Sequence, residues 1–288
     1  MLVNLKEILE IAEKREIAIG SFNTPNLESL IAIIGAAEEL DVPVIIQFAQ
    51  CHESLIPLAV IGPVMVEQAK KAAVPVCVHL DHGETLAYLQ QALELGFTGI
   101  MYDGSVLSYE ENMKNTKAAV AMAANYNCSV EAELGSMGKS ESGAGTGAGD
   151  ETKIYTDPAL AKQFVEDTGI AALACSFGTT HGIYLTKPKL DFDIVKNVRK
   201  MTGNIPVVMH GGSGVSKEDF HIGIKAGVRK VNYFTYMDKS GGNAAEEYLK
   251  GLTEEEPRFY SSVVAAATEA MKENVKSAMK TFICGSEK

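Results

Sequence analysis

The stretch VPVCVHLDHGET (residues 74–85) drives an apolar, β-branched run straight into His79, Asp81, His82 and Gly83. Burying two imidazoles and a carboxylate without partners is expensive. The strand therefore reads as one whose far end opens onto a site. The valines before it leave no polar face, so the strand is expected to be covered on both sides, as in a parallel sheet.

The same unit recurs along the chain. Short β-rich runs stand at 17–23 (IAIGSFN), 43–49 (PVIIQFA), 75–81 (PVCVHLD), 97–104 (FTGIMYDG), 129–135 (SVEAELG), 171–180 (AALACSFGTT), 205–212 (IPVVMHGG) and 229–235 (RKVNYFT). Between them lie stretches with helical spacing. Residues 26–40 and 84–96 repeat their apolar positions near 3.6, and 157–169 opens on Asp157-Pro158 as an N-cap and first helical position should. Eight alternating units predict an α/β protein, a single (β/α)8 TIM barrel over residues 1–288. An open doubly wound sheet is the alternative. Residues 256–283 predict an additional C-terminal helix packed outside the barrel. One stretch breaks the rhythm: 135–158 (GSMGKSESGAGTGAGDETKIYTDP) is rich in Gly, Ser and Thr, and after a fifth strand it is expected to be a mobile active-site loop.

Composition narrows the function classes. A net charge of −11 without a basic patch argues against nucleic acid. No apolar run of about 18 residues predicts a membrane span, and the N-terminal stretch reads as an amphipathic helix rather than a signal peptide. The expected location is cytoplasmic, in keeping with five cysteines that form no CxxC pair and read as free thiols.

In such a barrel the active site gathers at the C-terminal ends of the strands. Asp81 and His82 end strand 3, Asp103 ends strand 4, and strand 5 carries Glu131 and Glu133. His181 follows strand 6 and His210 ends strand 7, so three of the six histidines close different strands at one rim. Three neutral imidazoles with an open fourth position suit a catalytic zinc or a similar divalent ion. His79 alternates inward with Asp81 and reads as core or as support for the ligands. His52 and His221 fall outside the pattern and are expected to be solvated or structural. The run 210–214 (HGGSG) offers an anion nest with the Ser213 hydroxyl, and strand 8 brings Asn232 and Thr235 to the same corner. Metal beside phosphate implies a phosphorylated substrate whose reacting oxygen ligates the metal. A ketose phosphate chelated this way can form an enediolate. Asp81 then serves as acid/base on the departing oxygen, and Glu133 or a loop residue handles the proton at carbon. A Schiff-base route is weaker, since only Lys230 lies near a strand end.

The successive motifs HLDHG, VEAELG, GTTHG, HGGSG and VNYFT resemble those of the class II, metal-dependent ketose-bisphosphate aldolases, over roughly residues 5–250. The resemblance implies a zinc-dependent barrel, a homodimer or homotetramer, that cleaves a fructose- or tagatose-type ketose phosphate to dihydroxyacetone phosphate and an aldehyde. By position it implies Asp81 as proton donor to the aldehyde oxygen, and His82, His181 and His210 as zinc ligands. Asp103 and Glu133 match positions for a second or displaced zinc. Gly182, Gly211, Gly212, Ser213, Asn232, Tyr233, Phe234 and Thr235 match the donor-binding positions, with a monovalent cation (Na+ or K+) near the phosphate.

The chain also departs from that pattern. Tyr236 follows Thr235 where an acidic residue is common, and Tyr233-Phe234 stand where small residues are usual. Ala171 replaces a common aspartate, a change expected to sit behind the metal ligands. The segment 47–54 (QFAQCHES) lacks a serine often found after the glutamine, and Gly138-Lys139 replaces a Gly-Gly. With all three histidines present, the departures bear on substrate rather than on catalysis. Two other readings use the same residues: a metal-dependent sugar-phosphate isomerase or epimerase, and a non-catalytic sugar-phosphate sensor. Neither breaks a carbon–carbon bond, and a sensor has no need of an acid at Asp81.

Overall fold

The computed structural model describes residues 1–135, 155–184 and 187–283. Most of the glycine-rich stretch expected to be a loop over the site, residues 136–154, lies outside them. Eight parallel strands close into a barrel in chain order: β1 (Ile19–Asn23), β2 (Val44–Ala49), β3 (Val76–Gly83), β4 (Gly99–Tyr102), β5 (Ser129–Leu134), β6 (Ala172–Cys175), β7 (Val207–Met209) and β8 (Val228–Tyr233). β8 pairs back onto β1, with Ser21 opposite Asn232. That closure excludes the open sheet.

The floor of the barrel is dry and its roof is polar. Helix α1 (Leu5–Arg15) begins with a capping box, in which the Asn4 side chain accepts from the Glu7 N–H (2.9 Å) and Glu7 accepts from the Asn4 N–H (2.8 Å). Its apolar face, Leu5, Ile8, Leu9 and Ala12, packs on the inward Ile19, Ile45, Cys77, Ala172, Ala174 and Val208. Each leucine or isoleucine buried there contributes about 1.5–3 kcal/mol over exposure. One pleat higher the inward side chains turn polar: Ser21, Gln47, His79, Glu131 and Lys230, all fully buried. Period-2 alternation carries each strand from the apolar layer to that polar one and on to the rim.

Outside, α2 (Leu27–Leu40), α3 (Leu58–Lys71), α4 (Leu86–Glu94), α5 (Tyr109–Ala123), α6 (Pro158–Thr168), α7 (Phe192–Met201) and α8 (Lys217–Ala226) follow their strands. After β8 come α9 (Thr235–Gly251) and α10 (Tyr260–Phe282). The C-terminal helix is additional to the eight that follow the strands, as the sequence predicts, and lies outside the barrel. It packs against α2, α8, α9 and β1, and its Phe282 ring meets those of Phe220 (4.9 Å) and Tyr233 (6.1 Å). The Phe282 carbonyl accepts from the Ala18 N–H at the root of β1. Among the described residues no helix is long and apolar enough to cross a membrane, and Cys77, Cys128 and Cys175 are free thiols.

Candidate active site

His82 lies where alternation alone would turn it outward, because its neighbour Asp81 points in. The register between β3 and β4 shifts between Leu80 and Gly83, and His82 takes a left-handed φ of 46°. A bulge re-aims a side chain in this way. Holding a non-glycine residue there costs on the order of 1–3 kcal/mol, a strain that collects at functional sites. The turn brings His82, His181 and His210 together, with one ring nitrogen of each within 4.8 Å of the others.

The carboxylates behind the rings decide which nitrogens face the centre. His82 Nδ1 lies 2.7 Å from Asp103 Oδ2, and His210 Nε2 lies 2.9 Å from Glu131 Oε1. Carboxylates accept, so both of these ring nitrogens carry the proton and donate it. The opposite nitrogens, His82 Nε2 and His210 Nδ1, are left with lone pairs, yet they stand 2.8 Å apart. Two converging lone pairs need a proton or a cation between them. Carboxylate-backed imidazoles of fixed tautomer are how proteins hold divalent metals. His82, Asp103 and Glu133 form a second overlapping group. The residues present therefore fit a metal of the zinc type.

Charge in this layer is balanced by pairing. Burial alone would push Asp103 up, but hydrogen bonds from His82 and from Ser105 (N–H 3.0 Å, hydroxyl 2.7 Å) hold it below the usual carboxylate range. Burial likewise raises Glu131, and Lys230 at 2.9 Å together with His210 overcomes it, leaving Glu131 below its ordinary value. His79, 3.5 Å from Glu131, is driven well below its ordinary value by burial and by Lys230, so it stays neutral. It sits beneath the metal group, as its alternation with Asp81 implied. Lys230 also donates to Asn232 Oδ1 (2.8 Å). Its amine is thus sealed in the barrel interior and is no Schiff-base lysine.

Asp81 sits at the centre of an amide cage. Asn232 Nδ2 donates to one of its oxygens (3.0 Å), and Gln47 Nε2 (3.0 Å) and Asn23 Nδ2 (3.3 Å) donate to the other. Gln47 is itself oriented by Asn23 Oδ1 (2.9 Å) and the Ser21 hydroxyl. Asp81 and His82 at the end of this strand thus have partners, which answers most of the cost that the sequence raised; neither ring nitrogen of His79 makes a hydrogen bond, and its polar neighbour is Glu131 at 3.5 Å.

A cleft opens over these groups, lined by Asp81, His181, Gly182, Gly211, Gly212, Ser213, Asn232, Tyr233, Phe234 and Thr235, and also by Asn23, Ala49, Cys51 and His52. The first ten were read from the sequence; the last four were not. Asp103, Glu133, His82 and His210 lie beneath or beside it. Gly211 has a φ of 63°, and a Cβ there would stand 2.2 Å from the Thr180 carbonyl oxygen. Tyr184 bridges the same loops, donating to the Gly211 carbonyl and accepting from the Thr180 N–H, each at 2.9 Å. The Gly212 N–H is bonded to the Asn232 carbonyl (3.0 Å), so it joins the two loops instead of lining an anion nest. Donors at this corner include the Ser213 hydroxyl, which accepts from the Phe234 N–H (3.3 Å), and the first turn of α9. Replacing Gly211 by alanine should force this loop apart from Thr180. Affinity for inorganic phosphate, measured by calorimetry, is expected to fall tenfold or more.

One sequence expectation is narrowed and one is corrected. Of the two readings open for His52, solvated or structural, burial excludes the first: the single turn Gln50–Ser54 that follows β2 swings it into the cleft, its ring 5.0 Å from that of Phe234. Ala171 lies before β6, at the barrel floor beside Ile170 and Ile205, away from the ligands. In a parallel barrel the residue before a strand and the one after it are at opposite ends. His221, half-buried on α8, is remote from the cleft lining.

Comparison with known proteins follows the same lines. The family described as fructose-bisphosphate aldolase class-II matches residues 3–287. A probable fructose-bisphosphate aldolase of Bacillus subtilis is 37% identical over 287 residues, covering 98% of this chain and 97% of its own. A 6-phospho-5-dehydro-2-deoxy-D-gluconate aldolase of Halalkalibacterium halodurans is 35% identical, covering 98% and 96%. Among solved structures, the YdjI aldolase from Escherichia coli K12 superposes with a TM-score of 0.86 at 33% identity, over 100% of both chains.

Proposed function

The chain belongs to the class II fructose-bisphosphate aldolase family, and we propose that it reversibly cleaves a ketose 1-phosphate or 1,6-bisphosphate to dihydroxyacetone phosphate and an aldehyde, using zinc. The observation that carries this reading is the pair of facing imidazole lone pairs 2.8 Å apart, set beside a caged carboxylate. His82, His181 and His210 would hold the ion, with Asp103 and Glu133 able to take a displaced or second one. Bound there, zinc would lend Lewis acidity to the ketose carbonyl and its neighbouring hydroxyl.

The chain's own residues do the rest. Ser213, the first turn of α9 and the Gly211 loop hold the donor phosphate, and Gly182 and Asn232 to Thr235 shape the floor beside it. Asp81 accepts the proton of the C4 hydroxyl as the C3–C4 bond breaks. The bond electrons pass to the donor half, which becomes the enediolate of dihydroxyacetone phosphate, while C4 becomes the aldehyde carbon. Glu133, its Oε2 3.9 Å from His210 Nδ1, or a residue of the stretch after β5 returns a proton to C3. In the reverse direction Asp81 donates to the aldehyde oxygen.

Exchange of the α-hydrogen of dihydroxyacetone phosphate with D2O tests the donor half without any aldehyde. Zinc-loaded protein should exchange it, and a chelator should abolish exchange together with about one equivalent of bound zinc by metal analysis. Folded, zinc-loaded protein that gives no exchange would overturn the reading. The two relatives are named for different substrates, so family membership leaves the aldehyde open.

A further inference from the structure

The donor half uses one side of the cleft. Its phosphate lies by the loops after β7 and β8, and its oxygens reach toward the histidines after β3, β6 and β7. The aldehyde half must leave past Asp81 on the side that remains. Ala49, at the end of β2, pairs with Asp81 across the sheet, and the cleft continues there along Asn23, Ala49, Cys51 and His52.

That end is rigid. Gln50 Oε1 accepts from the Glu84 N–H (2.9 Å), and the His52 carbonyl accepts from Leu55 (2.8 Å) and Ile56 (3.2 Å). Glu53 accepts from the Tyr88 hydroxyl (2.5 Å) and the Leu58 N–H (2.9 Å). The His52 ring is held edge-on to Phe48 (6.3 Å) and tilted against Phe234 (5.0 Å). Among the described residues lining the cleft none is lysine or arginine. The nearby carboxylate is Asp238 in the first turn of α9, raised by burial and lowered by His52. Among the described residues, a phosphate dianion at this end would thus meet an imidazole, a methyl, a thiol, an aromatic ring and the Asn23 amide already committed to Asp81, with a carboxylate behind them. An uncharged hydroxyaldehyde would find a hydrogen-bonding imidazole and a ring face for its C–H groups.

Resting on the aldolase reading above, we propose that His52 is a specificity-determining residue which hydrogen-bonds a hydroxyl of an uncharged aldehyde half. The preferred substrate is then a ketose monophosphate, phosphorylated on the donor half alone. Phe234 and His52 make one wall, which accounts for the bulk of Phe234 at the end of β8, while the Tyr233 ring packs against Phe22 and Phe282.

The test is aldol addition of dihydroxyacetone phosphate to glyceraldehyde and to glyceraldehyde 3-phosphate, comparing kcat/KM. The zinc-loaded enzyme should favour glyceraldehyde at least tenfold. His52→Ala should collapse that ratio, His52→Gln, which keeps a donor, should retain most of it, and His52→Arg should shift it toward the phosphorylated aldehyde. Equal or greater kcat/KM on glyceraldehyde 3-phosphate overturns the proposal, as does a ratio that none of the three variants moves. Wild-type hydrogen exchange in the same preparation separates the failures. Exchange without acceptor preference removes this inference alone, and absence of exchange removes the reading beneath it.

Discussion

Asp81→Ala should lower the rate of carbon–carbon cleavage about 1,000-fold, in the range a positioned acid/base supplies, while zinc content and donor hydrogen exchange persist. The separation follows from geometry. Asp81 is 1% exposed and touches no member of the metal group closely, its nearest approach to His82 being 3.9 Å. Its bonds are to amides: Asn23, Gln47 and Asn232. Removing the carboxylate therefore leaves the facing imidazoles and their carboxylate backing in place. It does strand three amide donors, and an unsatisfied buried donor costs about 1–3 kcal/mol. Asp81→Asn provides the control: it fills the same volume and cannot take up a proton, so it should lose cleavage to a similar degree. Single-turnover cleavage beside D2O exchange reads both halves in one preparation. Cleavage that stays at the wild-type rate in either variant would remove Asp81 from the reaction.

How far the sequence disclosed this site depends on which physical rule placed each residue. Barrel closure was readable because eight apolar runs alternate with helical spacing, and closure follows from local signals repeated eight times. The inward aim of Asp81, Glu133 and Asn232 was readable from alternation. His82 was read into the site from its place at the strand end, though strict alternation would have turned it outward, and it is the bulge with its positive φ that turns it toward His181 and His210. No residue pattern around Leu80 announces that shift. His52 was missed because a single helical turn after β2, and not a strand, carries it over the cleft. A signal was present: the segment 47–54 is followed by helix rather than by a turn back to the surface. The Gly212 N–H was read as an anion donor, but the close approach of β8 occupies it, and inter-strand bonds are invisible to local reading. The partners of α10, which packs against α2 and α8, are likewise a matter of tertiary contact.

The Glu131–Lys230 pair is the feature that alternation could have revealed and was not used for. Glu131 lies two residues before Glu133 and Lys230 two before Asn232, so both share the inward parity of residues already assigned to the site. In the structure both are fully buried and paired at 2.9 Å, with His79 and His210 on the same carboxylate. Removing one member of a buried pair costs about 3–5 kcal/mol, because the other charge is left without a partner. Lys230→Met should therefore be strongly destabilising in urea unfolding, and it should also free Asn232 Oδ1, which the ammonium now holds. Exchanging both members, as Lys230→Met with Glu131→Gln, removes the orphaned charge and should recover most of that stability. Glutamine keeps an oxygen for His210 Nε2, so the lone pair at His210 Nδ1 still faces His82 and zinc should still bind. Asn232 remains without its tether in the double variant, and its amide can turn an oxygen toward Asp81. Cleavage should then stay depressed while stability and zinc return. If stability recovers and cleavage recovers with it, Lys230 serves only the fold. If the double variant unfolds as readily as the single one, the buried charge is not what makes Lys230 matter.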